Sequence, residues 1–308
     1  MHQKEFVDFG TTMHKDKTRA VIKVQDGCDR FCSYCIIPYA RGRVRSRSVG
    51  SVIEEIETLA KNGVKEVVIT GIHVASYGKD FKEDIGLIDL LERINKVEGI
   101  KRIRLGSLEP TIINEKFLER LSKLNKICHH FHLSLQSGCD ETLKRMNRKY
   151  TTEEFKKVTE LLRDRYKDVI LTTDIIVGFP GETDEEFDKT YQFLKGIAFY
   201  KMHIFKYSRR KGTKADLMEN QVSPQVQEER SKKLIELSDN NQKEYNNKYI
   251  GQKLAVLFEE QQGEYIKGHT QNYLVVNIKC KEIEKYHNEI LTVEITDCFG
   301  EELIGNIM

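Results

Sequence analysis

The sequence predicts an α/β protein: a partial, TIM-like (β/α)6 barrel followed by a small all-β barrel. Two observations carry the prediction. From residue 20 to about 207, strand-like and helix-like segments alternate, as they do in a parallel sheet with helices outside it. After residue 246 the helical periodicity stops and five short apolar strands follow one another, which suits a small closed barrel. The first part supplies six β/α units, so its barrel is partial rather than closed into eight. Pattern alone does not separate it from an open doubly wound sheet.

The six strands are expected at 20–24, 66–70, 102–107, 131–136, 169–179 and 200–208. Residues 51–63 form a helix with Val52, Ile53, Ile56, Leu59 and Ala60 on one face and Gly63 at its end. Thr151 with Glu154, and Thr183 with Glu186, have the spacing of capping boxes. A long polar helix runs from Ser223 and Pro224 to about Lys248. The five later strands are expected at 253–260, 264–270, 273–279, 290–296 and 302–307. Three regions result: a linker over 1–19, a first domain over 20–245 and a β domain over 246–308.

Composition narrows the function classes. No apolar run approaches the roughly 18 residues of a membrane span, and residues 1–19 lack the apolar core of a secretory signal. There are seven cysteines, three of them within eight residues. That is not a secreted disulfide framework; it fits a reducing cytoplasm where thiolates hold metal. Net charge is +2, but residues 246–308 hold six lysines against ten acids. Any electrostatic footprint for nucleic acid therefore lies in the first domain.

The cysteines read Cys28-Asp29-Arg30-Phe31-Cys32-Ser33-Tyr34-Cys35, a C-x3-C-x2-C loop just after a strand. Three thiolates on one loop can hold three irons of a 4Fe–4S cubane and leave the fourth open to a small ligand. The alternative is structural zinc, which needs a fourth ligand; His73 or Cys139 could supply one, but there is no second C-x-x-C pair. Cys128, Cys139, Cys280 and Cys298 read as inert buried thiols, and nothing in the spacing of His129, His130 and His132 demands a metal.

This motif resembles that of the radical S-adenosylmethionine (SAM) superfamily. The run CDRFCSYCIIPYARGRVRSRS (28–48) is similar to the methylthiotransferases, in particular the branch acting on N6-threonylcarbamoyladenosine beside the tRNA anticodon. So are VITGIHVASYG (68–78), RLGSLEP (104–110), HLSLQSGCDETLKRMNRKYT (132–151), TDIIVGFPGETDEEF (173–187) and HIFKYSRRKGT (203–213). The β domain resembles the TRAM domain, an OB-like RNA-binding appendage. The resemblance implies a cluster on Cys28, Cys32 and Cys35 that cleaves SAM to a radical. SAM contacts are then expected from Tyr34, Thr70, Gly71, Ser134, Gln136 and Gly178. It also implies the tRNA anticodon stem-loop as substrate and a flavodoxin- or ferredoxin-like electron donor. The full reaction uses two SAM molecules: one methylates a sulfur, the other yields the radical that takes hydrogen from C2 of the adenine.

Several further readings are weighed on the residues. Alternation puts Leu133 and Leu135 on one face of their strand and Ser134 and Gln136 on the other. Arg41, Arg43, Arg45 and Arg47 follow the cysteine loop directly, and Arg209 and Arg210 follow the last barrel strand; these six are the expected RNA contacts. Phe258, Tyr265, Tyr273 and Phe299 can stack bases or fill a core. Family members carry a further N-terminal domain whose cysteines hold a second, sulfur-donating cluster, and residues 1–27 contain no cysteine. The chain therefore reads as lacking that domain. Two alternatives stand beside the tRNA reading: methylthiolation of an aspartate on a ribosomal protein, and an RNA-binding fragment without catalysis. A monomer is expected.

Overall fold

A computed structural model describes residues 18–280 and 285–308. In chain order the first part contains β1 (Arg19–Asp26), α1 (Ile37–Arg41), β2 (Arg45–Ser46), α2 (Val49–Lys61), β3 (Glu66–Gly71), α3 (Leu87–Ile94), β4 (Arg102–Leu105), α4 (Glu115–Leu121), β5 (His130–Gln136), α5 (Asp140–Arg145) and α6 (Thr152–Arg165). It continues through β6 (Ile170–Val177), α7 (Asp184–Ile197), β7 (Lys201–Lys206) and the long α8 (Pro224–Asn247). The second part is β8 (Lys253–Gln262), β9 (Tyr265–Thr270), β10 (Val275–Lys279), β11 (Ile290–Phe299) and β12 (Glu302–Ile307).

The expected helix starts have a local cause. Thr151 and Thr183 cap α6 and α7 with reciprocal bonds to Glu154 and Glu186. Ser223 caps α8, with Pro224 at its first turn. The helix expected from residue 51 begins two residues earlier, because the Ser48 hydroxyl accepts from Ser51 N–H. The linker expected over 1–19 fails at its end: Thr18 is buried and Arg19 opens β1. Residues 1–17 lie outside the described residues.

Strands β1, β3 and β4 pair in parallel, as do β5, β6 and β7; the short β2 runs antiparallel along β1. The two sheets are joined where Leu108 N–H donates to His132 O (2.8 Å) and Ser134 N–H to Leu108 O (3.0 Å). The parallel strands thus follow one another in chain order without reversal. A doubly wound sheet would reverse its order at a switch point, so the fold is the partial barrel, which ends on β1 with its short partner β2 at one side and on β7 at the other. Alternation sends Ile22, Val24, Val67, Ile69, Ile103 and Leu133 outward into one core with the helices. The inward face is polar and carries Glu66, Arg104, His130, His132, Asp174 and His203.

The five later strands close into a barrel in the order β10-β12-β11-β8-β9. Phe258, Ile266, Val276, Ile295 and Leu303 fill it. It sits on the amino-terminal ends of the first barrel's strands. Arg102 donates to Ala255 O (2.9 Å) and His269 O (2.8 Å), Asn272 donates to Asp168 O (3.1 Å), and Arg19 pairs with Glu66 and Glu259. The β domain plugs the bottom of the partial barrel and leaves the carboxyl rim, where such folds carry chemistry, open. No helix among the described residues is long and apolar enough to cross a membrane.

Candidate active site

The cysteine loop leaves β1 at the carboxyl rim. Gly27 has φ +71°, and a Cβ there would lie 1.9 Å from Arg43 O, so only glycine allows this close pass of the chain. Gln25 ties the end of β1 to both flanking loops: its amide donates to Asp26 O and Gly27 O (both 2.7 Å) and its carbonyl accepts from His73 N–H (2.7 Å). Backbone bonds pin the loop beyond. Cys28 N–H reaches Gly42 O (3.0 Å), Ser33 N–H reaches Met146 O (3.0 Å), and Asn147 donates to Phe31 O (2.9 Å). Phe31 and Asn147 both hold positive φ, a strain typical of functional loops. The three half-buried thiols are therefore set in place by the surrounding chain.

Beside the thiols lies a charged cluster that sequence reasoning missed. Glu109, with its side chain 2% exposed, receives Arg30, His73 (2.9 Å) and, at 3.8 Å, Arg148. Burial pushes its carboxyl up, but the His73 bond and the arginine charges prevail and hold it at about 2. Arg148 in turn points one guanidinium nitrogen at Cys32 Sγ (3.3 Å) and another at Ser134 O (3.0 Å). Burial raises the Cys28 and Cys35 thiols; Arg210 and Arg148 pull Cys35 back. The RLGSLEP and MNRKYT segments contain Glu109 and Arg148, but their pairing is a tertiary fact.

The other residues singled out on sequence distribute unevenly. Thr70, Gly71, Ser134 and Gly178 lie at the carboxyl ends of β3, β5 and β6, on the same rim as the cysteines. Tyr34 meets Phe179 edge-on (6.4 Å). Gly178 has φ +69°, and its N–H donates to Glu182 (2.6 Å). Gln136 departs from expectation. A bulge after Leu133 puts it opposite Ile175 with φ +73°, so simple alternation does not set its face.

The arginine run divides. Arg41 and Arg43 are exposed, but Arg45 and Arg47 are buried. Arg45 pairs with Asp26 and caps Arg41 O; Arg47 pairs with Glu55 of α2. Neither is available to a phosphate, which corrects the expectation that all four contact RNA. The short β2 strand turns these two under the rim. Arg209 and Arg210 are exposed, Arg209 in a pair with Asp216 (3.0 Å). Phe258 is core and Tyr273 lies between Arg104 and His269, whereas Tyr265 and Phe299 face solvent. Cys128 and Cys139 are buried as expected; Cys280 and Cys298 are only half-buried.

Comparison with known proteins gives this geometry a family. The sequence signature of the Radical SAM superfamily matches residues 22–194. A curated relative from Finegoldia magna, a tRNA-2-methylthio-N(6)-dimethylallyladenosine synthase, is 35% identical over all of this chain and 67% of its own length. The chain belongs to the radical SAM superfamily, within its methylthiotransferase family. It is 42% identical to the Threonylcarbamoyladenosine tRNA methylthiotransferase MtaB of Bacillus subtilis, over 91% of the chain and 63% of the relative. It is 39% identical to a dimethylallyladenosine synthase of Caldicellulosiruptor saccharolyticus, over 96% and 63%. The chain thus spans somewhat under two thirds of the length of these two relatives. Among solved structures the fold matches the radical SAM methyltransferase TsrM of Kitasatospora setae (TM-score 0.55, 20% identity, 66% of this chain and 39% of that one). It also matches coproporphyrinogen III oxidase of Escherichia coli (TM-score 0.55, 16% identity, 75% and 54%).

A 4Fe–4S cluster and SAM are the cofactors of this superfamily, and the donor set fits the cluster. Sulfurs sharing one tetrahedral zinc at ~2.3 Å would lie about 3.8 Å apart. Among the described residues, the group of three metal-binding side chains gathered within 4.8 Å is His132, Asp174 and His203, not the cysteines. The three cysteines are not gathered as the ligands of a single ion would be. The two fourth ligands that zinc could recruit are engaged: His73 bonds Ser76 (2.6 Å) and Glu109, and the Cys139 thiol donates to Glu141 (2.9 Å).

Proposed function

We propose that the chain is the radical-generating and RNA-binding part of a tRNA methylthiotransferase acting on N6-threonylcarbamoyladenosine beside the anticodon. Cys28, Cys32 and Cys35 ligate the cluster, residues 20–245 form the radical domain and residues 246–308 the RNA-binding one. When bound, the cluster and SAM supply a carbon-centred radical able to take hydrogen from C2 of the adenine.

The chain's own groups do the rest. The backbone of 28–35 is fixed before any ligand arrives, so the thiolates need little reorganisation. Arg148 places positive charge against Cys32 Sγ, and Arg210 and Arg148 offset part of the burial that raises the Cys35 thiol. On this reading Tyr34, Thr70, Gly71, Ser134, Gln136 and Gly178 are the residues that contact SAM at the carboxyl rim. The Gly178 turn is held by Glu182 and Arg230, both buried (2.7 Å). Arg41, Arg43, Arg209 and Arg210 offer charge to the RNA backbone on the same side of the barrel. The β domain, with six lysines and ten acids, contributes shape and stacking through Tyr265 and Phe299 rather than bulk attraction.

The observation that carries this reading is the preset cysteine loop beside the Arg148–Glu109 pair. The threonylcarbamoyl substrate follows the resemblance of residues 28–48 to that branch; identity alone does not choose it, being 42% both to the Bacillus subtilis relative and to a dimethylallyladenosine synthase of Thermoanaerobacter. The test is hydrogen abstraction. A stem-loop deuterated at C2 of its threonylcarbamoyladenosine is incubated anaerobically with reduced, cluster-loaded protein and SAM. Deuterium should appear in 5′-deoxyadenosine. SAM cleavage without deuterium transfer would overturn the tRNA assignment and leave only radical generation.

A further inference from the structure

The inward face of edge strand β7 is not used by the radical chemistry above. Its alternation gives Lys201, His203 and Phe205 to the barrel interior while Met202 and Ile204 pack the opposite way. His203 lies in register with Asp174 of β6 and 5.7 Å, ring to ring, from His132 of β5. His132 is fully committed: one nitrogen meets Asp174 Oδ2 (3.1 Å), the other Thr172 Oγ1 (3.0 Å), and that hydroxyl is also 3.0 Å from His130. Asp174 keeps its other oxygen free, and the His203 ring makes no hydrogen bond among the described residues. His203 borders a cavity of ≈ 440 Å³ whose wall also includes Arg104, His132, Thr172 and Lys201 and, from the β domain, Tyr273 and Glu301; Asp174 stands behind it, bonded to His132. That volume suits an organic group of several atoms.

The relatives' names present two N6 substituents of opposite chemistry. Dimethylallyl is wholly apolar. Threonylcarbamoyl carries a urea, a hydroxyl and a carboxylate. An apolar group against this wall would strip water from a carboxylate, an imidazole and an ammonium and return nothing. A polar group would satisfy them, and a site built to hydrogen-bond its substrate rejects the analogue that cannot. We propose that Asp174 and His203, with His132 holding Asp174 in place, form the subsite that reads a polar, hydroxyl- and carboxylate-bearing N6 substituent. Asp174 accepts from the hydroxyl and His203 donates to the carboxylate. The inference rests on the adenosine reading given above and names the residues that choose between its two forms.

The test compares three anticodon stem-loops that differ only at the target base: threonylcarbamoyladenosine, its carboxyl methyl ester, and dimethylallyladenosine. Affinities are measured anaerobically on the full, cluster-loaded chain and on H203F and D174N, each checked for native cluster absorption. Wild type should favour threonylcarbamoyl over dimethylallyl by about tenfold or more, with the ester between. Each variant should shrink that preference to about twofold. A wild type without preference, or a preference that survives both substitutions, would overturn the subsite while deuterium transfer from the threonylcarbamoyl stem-loop still upheld the broader function. Failure to bind any stem-loop would overturn both. A chain with Cys28, Cys32 and Cys35 changed to alanine gives the last arm. If it bound one Co²⁺ with d–d absorption lost in H132A, these residues would be a metal site instead.

Discussion

Glu109→Gln probes the charged cluster beside the thiols. The carboxyl is nearly enclosed and its pKa falls from an ordinary 4.5 to about 2. A native pKa below the unfolded one means stability that is present above about pH 4.5 and lost as pH falls toward 2. A shift of about 2.5 units at ~1.4 kcal/mol each is about 3 kcal/mol at neutral pH. By pH 3 only about 1.4 kcal/mol of it survives. Glutamine keeps the shape but leaves Arg30, His73 and Arg148 without an anion, so the variant should lose about 3 kcal/mol at pH 7. Urea unfolding of the apo protein at pH 7 and pH 3 measures this. The gap between wild type and variant should narrow by about half on acidification. A gap that is absent at pH 7, or equal at both pH values, would refute the claim that a charged Glu109 organises the site.

Three other perturbations separate the roles given to neighbouring groups. Arg148→Met removes the positive charge 3.3 Å from Cys32 Sγ; the pH midpoint of cluster assembly, followed by absorption, should move up by about 1 unit because the buried Cys35 thiol loses one of the charges that pull it back. Gly27→Ala places a methyl group 1.9 Å from Arg43 O; iron retained after reconstitution should fall sharply, while far-ultraviolet circular dichroism stays close to wild type. Arg43→Ala should lower the salt dependence of stem-loop binding by about one counterion. Arg47→Ala should leave that slope alone and instead destabilise the fold by about 3 kcal/mol, since it strands the partly buried Glu55.

Periodicity and capping were legible because they are local. The Thr151 and Thr183 boxes, the Ser223 start of α8 and the alternation of β1 and β3 depend only on neighbours in sequence. The cysteine loop was legible for the same reason, its three ligands lying within eight residues. Contacts between distant segments were not. Glu109 meets Arg30, His73 and Arg148 only because β1, β3, β4 and β5 bring their carboxyl ends together. His132, Asp174 and His203 come from three strands and have no common spacing. The arginines after the loop alternate in sequence as a solvated face would, yet pairing of β2 with β1 buries Arg45 and Arg47. Arg19 looked like linker because its partners, Glu66 and Glu259, lie far along the chain.

Anaerobic reconstitution with iron and sulfide, followed by metal counting and SAM cleavage, tests the central claim most directly. Three thiolates holding one cubane predict about four irons per chain, formation of 5′-deoxyadenosine on reduction, and loss of both when Cys28, Cys32 or Cys35 is changed to alanine. One tightly held zinc, with SAM left intact, would contradict it.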